Sequence, residues 1–174
     1  MAMWPAEALK EWREFYLLVG TAGATLLALL FVAVSLGAGY LTEKRQASTR
    51  TFMSPVVIHF STVFLASAIA LAPLHGVIAF AVPVASLALI GLAVSSAITI
   101  KLFQTRMTEY WQDHCAYGLF PLFGYLALLI AAATLYRERE FSLDLMGAAL
   151  LALTVINIRN AWDLTLTMVQ RNKR

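Results

Sequence analysis

An uncharged segment from Thr51 to Ile100 reads TFMSPVVIHFSTVFLASAIALAPLHGVIAFAVPVASLALIGLAVSSAITI and determines the architecture. As one straight helix it would extend about 75 Å at about 1.5 Å per residue. That is more than twice the thickness of a bilayer's hydrocarbon core, which is about 30 Å. Pro73 and Gly76 lie near the middle of the segment and predict a tight turn. The segment is therefore predicted to be a hairpin of two membrane-spanning helices.

The composition of the whole chain supports the same class. Of its 174 residues, 60% are hydrophobic and 13% are charged, against about 45–50% and about 25% in soluble domains. This balance excludes an ordinary soluble enzyme and a disordered chain. The net charge is only +3, and no basic stripe interleaves with aromatic residues, so nucleic acid is not a predicted partner. The predicted environment is a lipid bilayer.

Three further apolar stretches complete the prediction of an all-α integral membrane bundle, a single domain over residues 1–174. The five predicted transmembrane helices cover about 15–40, 54–73, 77–100, 118–136 and 145–169. Arg159 and Asp163 interrupt the last stretch, so a four-helix alternative, with the last helix in the interface, stays open. Aromatic residues beside the spans are predicted to anchor the chain at the headgroups; they include Trp12, Phe15, Tyr16 and Tyr117.

The distribution of Lys and Arg predicts the orientation. In the five-helix arrangement, the side that holds the C-terminus carries eight of these residues and the opposite side carries four, with Arg159 left out. The positive-inside rule then places the C-terminus in the cytoplasm and the N-terminus outside. If the last helix does not cross, the bias becomes seven to five and reverses the orientation.

Small residues repeat along the first span. Gly20, Ala24 and Ala28 are spaced by four, as are Ser35 and Gly39. This spacing lets two helix backbones approach closely in lipid. It indicates either packing within the chain's own bundle or a subunit interface, and we expect a protein that self-associates.

The first span also resembles that of uncharacterised bacterial small integral membrane proteins. The resemblance is carried by Gly20-Thr21-Ala22-Gly23-Ala24-Thr25-Leu26 and by Leu30-Phe31-Val32-Ala33-Val34-Ser35-Leu36, about a tenth of the chain. It implies a multi-pass protein of the bacterial inner (plasma) membrane. It implies no activity and assigns no functional residue.

Polar residues at membrane depth are the candidate functional groups, because ionisable side chains are costly there and tend to mark ion, proton or substrate paths. Arg159 and Asp163 share a helix face at a spacing of four. His59 and Asp163 each lie about seven residues, or about 10 Å, inside the membrane from the C-terminal side, so they are expected to pair if the second and fifth spans are neighbours. The predicted ion or proton pathway comprises His59, Asn157, Arg159, Asn160 and Asp163. A secondary polar layer at the same depth comprises Ser35, Ser95, Ser96 and Tyr125.

Motifs for soluble-type chemistry are missing from the sequence. There is no nucleophile elbow, no phosphate-binding glycine loop and no HExxH, so no catalytic residue, metal ligand or cofactor is predicted. A metal site of Glu109, Asp113 and His114 is conceivable but disfavoured. Haem between two spans is disfavoured too, because His75 and His114 do not face His59 at depth.

Three functions stay open from the sequence. The favoured one is a homo-oligomeric ion or proton channel, or a transporter-like subunit, with its polar layer in the cytoplasmic half of the bilayer. The alternative is a structural or regulatory subunit that binds a partner protein. A membrane enzyme or lipid-handling protein that uses His59 and Asp163 ranks third.

Overall fold

The structure, a computed structural model, describes residues 8–37, 43–74, 76–105, 115–135, 137 and 139–171. These residues form helices and short turns, with no strand among them. The elements in chain order are α1 (Ala8–Gly37), α2 (Glu43–Leu71), α3 (Val77–Thr105), a π-helical segment (Cys115–Leu119) that continues into α4 (Phe120–Thr134), and α5 (Arg139–Arg171).

The predicted hairpin is confirmed. Helix α2 ends at Leu71 and α3 begins at Val77. Between them the Leu74 amide donates to the Ala72 carbonyl at 2.8 Å. Gly76 has a φ of 92°, in the left-handed region that only glycine adopts without steric cost. The Pro-Gly signal in the sequence therefore marks a real reversal of the chain.

Within the described parts of the chain, four apolar helices are long enough to cross a bilayer: Leu9–Leu36, Val77–Gln104, Cys115–Thr134 and Glu140–Leu166. The apolar part of α2, Pro55–Leu71, is shorter. The described residues thus confirm an all-helical architecture with four or five candidate spans. The final helix, whose span was in question, is among the four long ones.

The first helix extends beyond the start of the first predicted span. It includes the residues from Ala8 onwards, and the membrane span of about 15–40 stays a prediction. A Cβ at Gly147 of α5 would lie 2.7 Å from the Trp12 ring and 3.3 Å from the Phe15 ring. Tyr16 is fully buried. These aromatic residues, predicted as headgroup anchors, therefore pack between α1 and α5, since the glycine leaves room for them.

The helices contact one another in a ring. Each of α1 to α4 packs on the next helix in the chain, α5 packs back on α1, and α2 and α5 also touch across the ring. We call the end that contains the α2–α3 and α4–α5 turns the turn end, and the opposite end, where α5 finishes, the C-terminal end. Helices α2 to α5 surround one interior space, and α1 lies outside it against α2 and α5.

The turn-end half of the bundle has an apolar core. Its buried side chains come from the half of each helix that is nearest the turn end, and include Val63, Phe80, Leu128, Met146 and Leu150. Gly20 permits close contact of α1 with α2, because a Cβ there would lie 2.8 Å from the Ser67 Cβ. The helices in this part of the molecule are closely packed.

Helices α1 and α5 leave a groove between them towards the C-terminal end. Leu30, Ala33, Ile158 and Trp162 line it, Phe60 of α2 forms its floor, and its volume is about 280 Å³. Leu29 and Trp162 are more than half exposed there. The groove is apolar and opens to the outside of the bundle, where the predicted bilayer lies.

Candidate functional site

Buried polar side chains collect in the C-terminal half of the space between α2, α3, α4 and α5. Most of this set is nearly inaccessible to solvent. The fully or almost fully buried members are His59, Thr62, Ser95, Tyr117, Tyr125, Asn157 and Asn160. Polar groups are costly in an apolar interior unless they are hydrogen-bonded. Their partners therefore decide what this region is able to do.

The first group, the histidine cluster, consists of His59, Thr62 and Tyr125. Nδ1 of His59 lies 2.7 Å from the Tyr125 hydroxyl. That hydroxyl lies 3.3 Å from the Thr62 hydroxyl, and Thr62 donates to the Ile58 carbonyl at 2.9 Å. The cluster joins α2 to α4 across the interior.

The donors available in the cluster leave two arrangements of its protons. Each hydroxyl has one proton to donate, and Thr62 uses its proton on the Ile58 carbonyl. The Tyr125 hydroxyl lies 3.3 Å from the Thr62 hydroxyl but 2.7 Å from Nδ1 of His59, so its proton has two acceptors within reach. Nδ1 of His59 donates to Tyr125 in one tautomer and accepts from it in the other.

Gly91 of α3 positions the Tyr125 ring. A Cβ at residue 91 would overlap the ring atoms of Tyr125. The ring rests directly on the α3 backbone, and this contact directs its hydroxyl towards His59. Only glycine leaves that space.

The second group, the aspartate cluster, lies nearer the C-terminal end and consists of Tyr117, Arg159, Asn160 and Asp163. The Tyr117 hydroxyl lies 2.9 Å from Oδ2 of Asp163 and 3.1 Å from the Asn160 carbonyl. The Arg159 guanidinium donates to Oδ1 of Asn160 at 3.3 Å and lies 5.9 Å from the centre of the Tyr117 ring, within cation–π range. Arg159 and Asp163 are half-buried. The cluster brings Arg159 and Asp163 to one tyrosine.

The π-helical segment explains why Asn160 is held in place. Pro121 lacks an amide hydrogen and lies five residues after Ala116, the spacing of a π-helical hydrogen bond. Nδ2 of Asn160 donates to the Ala116 carbonyl at 2.9 Å. A side chain of α5 thus supplies the donor that proline lacks, and ties the start of α4 to α5.

Between the two clusters lie polar atoms without a protein partner. Asn157 is 0% exposed, and so is Ser95. Among the described residues neither Oδ1 nor Nδ2 of Asn157 has a hydrogen-bond partner, nor does Oγ of Ser95. We call Ser95 and Asn157 the central layer.

The other predicted polar residues are placed apart from these clusters. Ser35 is exposed, and its hydroxyl donates to the Phe31 carbonyl of its own helix at 2.8 Å. Ser96 is half-buried, next to Ser95. The four-residue pattern of the first span divides as well: Gly20 is buried against α2, Ala24 is half-buried, Ala28 is exposed, and Gly39 lies outside the described residues.

The expected pair of His59 and Asp163 is wrong. Helices α2 and α5 do touch, but His59 bonds to Tyr125 and Asp163 accepts a bond from Tyr117. The two ionisable groups thus bond to different tyrosines, Tyr125 of α4 and Tyr117 of the π-helical segment. His75, Glu109, Asp113 and His114 lie outside the described residues.

Two participants were missed from the sequence. Tyr117 was predicted as a headgroup anchor, yet it is buried and bonds to Asp163. Thr62 was not singled out, although it lies three residues after His59 on the same face of α2. The position of Thr62 could have been predicted from its spacing to His59. The inward direction of Tyr117 depends on the π-helical turn, and no local feature of the sequence predicts it.

Comparisons with protein-family models, curated proteins and solved structures find no match. The resemblance of the first span to small bacterial membrane proteins therefore stays a prediction.

Proposed function

We propose that the chain is a multi-pass membrane protein of the ion- or proton-transport type, in which protons enter each bundle from the C-terminal end. The observation that carries this proposal is the one-sided order of the histidine, asparagine and charged side chains in the interior, whereas the buried polar groups of the turn-end half include the hydroxyls of Ser67 and Ser142. The half-buried charges Arg159 and Asp163 come first, the central layer follows, and His59 comes last. Beyond His59 the apolar core of the turn-end half closes the interior.

Proton transfer fits this order better than passage of a hydrated ion. The innermost group is a histidine, the side chain whose unperturbed pKa is closest to physiological pH. Its Nδ1 contacts the Tyr125 hydroxyl, which in turn adjoins the Thr62 hydroxyl. The apolar core beyond the histidine cluster is closely packed, so transfer to the turn-end side requires a rearrangement, as in a transporter.

The burial of Asn157 and Asn160 in their own bundle supports a path within each subunit rather than between subunits. Self-association then brings several such paths together. The lysine and arginine distribution and the first-span resemblance support an inner membrane with the C-terminal end in the cytoplasm.

Proton flux into proteoliposomes, read with an internal pH dye, tests the proposal. We expect flux above that of empty vesicles for the wild type. His59→Gln keeps a donor for Tyr125 but has no titratable nitrogen, so we expect its flux to fall to the level of empty vesicles. Asp163→Asn removes the entry charge, and we expect reduced flux. Thr25→Ala is the control, because Thr25 is exposed and bonds only to the Thr21 carbonyl of its own helix.

The second candidate is a structural or regulatory subunit, and the hydrogen bonds that join the helices also support it. Asn160 and Tyr117 tie α4 to α5, and His59 ties α2 to α4, so the polar groups also fix helix register. If wild type and variants assemble alike and none conducts protons, the transport proposal fails. Co-purification of a stoichiometric protein partner would then favour the structural function.

A further inference from the structure

The two hydrogen-bonded clusters are separated by the central layer, and helix register puts both of its residues at one level. On α5, Leu153 packs against Gly124 of α4, and Asn160 bonds to the Ala116 carbonyl. Asn157 lies between Leu153 and Asn160 on α5, so its level is between these two contacts. On α3, Gly91 contacts Tyr125 and Thr99 contacts Gly118. Ser95 lies four residues after Gly91 and four residues before Thr99, so it too is at a level between the two contacts.

The chemistry of Asn157 specifies what binds there. Its Oδ1 needs a donor and its Nδ2 needs an acceptor, and among the described residues neither has one. A cation would satisfy only Oδ1, and an anion would satisfy only Nδ2. A ligand that satisfies both must donate and accept. Water does both, and it is the usual partner of buried polar groups that have no protein partner.

The hydroxyl of Ser95 supports the same ligand from the opposite wall. Ser95 is fully buried, and its Oγ also lacks a partner among the described residues. Two other α3 hydroxyls differ: Ser86 donates to the Val82 carbonyl and Thr99 donates to the Ser95 carbonyl, both within α3. Such back-bonding is the default for a helical hydroxyl in an apolar setting. Ser95 departs from it, as does the buried hydroxyl of Ser67 in the turn-end half, but Ser95 lies at the level of an asparagine that also lacks a partner.

We infer that ordered water binds between Asn157 and Ser95 and joins the aspartate cluster to the histidine cluster in one hydrogen-bonded column. The binding site stands on the burial and geometry of these two side chains. Its consequence, a continuous proton route to His59, rests on the proposed function. The column contains side chains from α2, α3, α4 and α5, so it depends on the register of all four helices.

Selective labelling makes the site observable. The chain has three asparagines, Asn157, Asn160 and Asn172, so ¹⁵N-asparagine labelling in lipid nanodiscs yields three side-chain amide signals. The Asn157 signal is the one lost in Asn157→Leu, with Asn157→Ser as a second variant if the first does not fold. Asn160 is the internal comparison, because its Oδ1 and Nδ2 both have protein partners.

We expect a dipolar cross-peak between the Asn157 amide protons and water in the wild type, stronger than that of Asn160. Ser95→Ala should weaken it, and the matched variant Ser86→Ala should leave it unchanged. Absence of the cross-peak in the wild type overturns the site, and a cross-peak insensitive to Ser95→Ala overturns the bridge to α3.

The measurement separates this inference from the proposed function. A water cross-peak at Asn157 without proton flux would retain the site and reject transport. Proton flux without the cross-peak would retain transport and reject this route.

Discussion

The two halves of the bundle are built from the same helices but have opposite interiors. At the turn end, leucine, valine, alanine and phenylalanine side chains fill most of the space between the helices, where Tyr16 and the hydroxyls of Ser67 and Ser142 are also buried. At the C-terminal end, the same space contains an imidazole, two tyrosine hydroxyls, two asparagine amides and a carboxylate. The apolar half provides stability by close packing, whereas each polar side chain must find a specific partner. Substitutions should therefore affect stability in the first half and proton transfer in the second.

The largest effect on stability is expected from Leu150→Ala. Leu150 is 0% exposed in the apolar half, whereas its neighbour Leu151 is 49% exposed. Truncation of a buried leucine leaves a cavity and costs about 2–5 kcal/mol. Leu151→Ala is the matched control and should cost much less, because lipid refills the space. Unfolding in a denaturing detergent, followed by circular dichroism, measures both; equal losses would mean that the turn-end half is not a packed core.

Gly91→Ala should have the next largest effect and should act on both halves. The added Cβ overlaps the Tyr125 ring, so the ring must move, at a cost of about 1–3 kcal/mol. The histidine cluster then loses its hydroxyl partner and proton flux falls. Ala93→Val adds volume at an exposed position of α3 and should change neither. If Gly91→Ala retained full flux, Tyr125 would not be part of the path.

A smaller effect separates two of the buried tyrosines, Tyr117 and Tyr16. Tyr117→Phe removes a hydroxyl 2.9 Å from the Asp163 carboxylate and should cost about 1 kcal/mol, together with part of the proton flux. Tyr16→Phe removes a hydroxyl that lies 3.5 Å from the Leu143 carbonyl, the outer limit of a hydrogen bond. It should leave flux unchanged and alter stability less. Loss of proton flux in Tyr16→Phe, with flux retained in Tyr117→Phe, would contradict the functional division between the halves.

The smallest effect on stability is expected from Ala28→Trp. Ala28 is exposed on α1 in the C-terminal half, so the change should alter stability by less than about 0.5 kcal/mol. If the predicted self-association uses this face, the oligomer should shrink when measured by light scattering in detergent. Ile78→Trp, at an exposed position of α3, is the control. An unchanged oligomer with Ala28→Trp would assign the small residues of α1 to packing within the chain alone.

Local sequence features were sufficient to predict the helices and the hairpin. An uncharged 50-residue segment with Pro73 and Gly76 at its centre has few ways to satisfy its backbone in lipid. The membrane depth that residue count gives to His59, Ser95, Tyr125, Asn157 and Asn160 stays a prediction. The structure shows that all five side chains are buried.

The pairing of those side chains was not predictable in the same way. Depth alone does not determine whether His59 bonds to Asp163 or to Tyr125, because the partner depends on the rotation of each helix about its axis. The rotation is set by contacts that no single segment encodes, such as the Tyr125 ring on the Gly91 backbone and the Asn160 amide on the Ala116 carbonyl. Tyr117 illustrates the same limit, because an aromatic residue at the start of a span favours the headgroups until a π-helical turn directs it inward.

The contact between Gly91 and Tyr125 also restricts how this protein is able to diverge. A larger residue at position 91 is excluded while the tyrosine ring is present, but becomes acceptable once position 125 has a small side chain. Loss of the tyrosine must therefore precede loss of the glycine, and the reverse order passes through a poorly folded intermediate. Among descendants of this sequence, glycine at position 91 should accompany every tyrosine at position 125, whereas the converse need not hold.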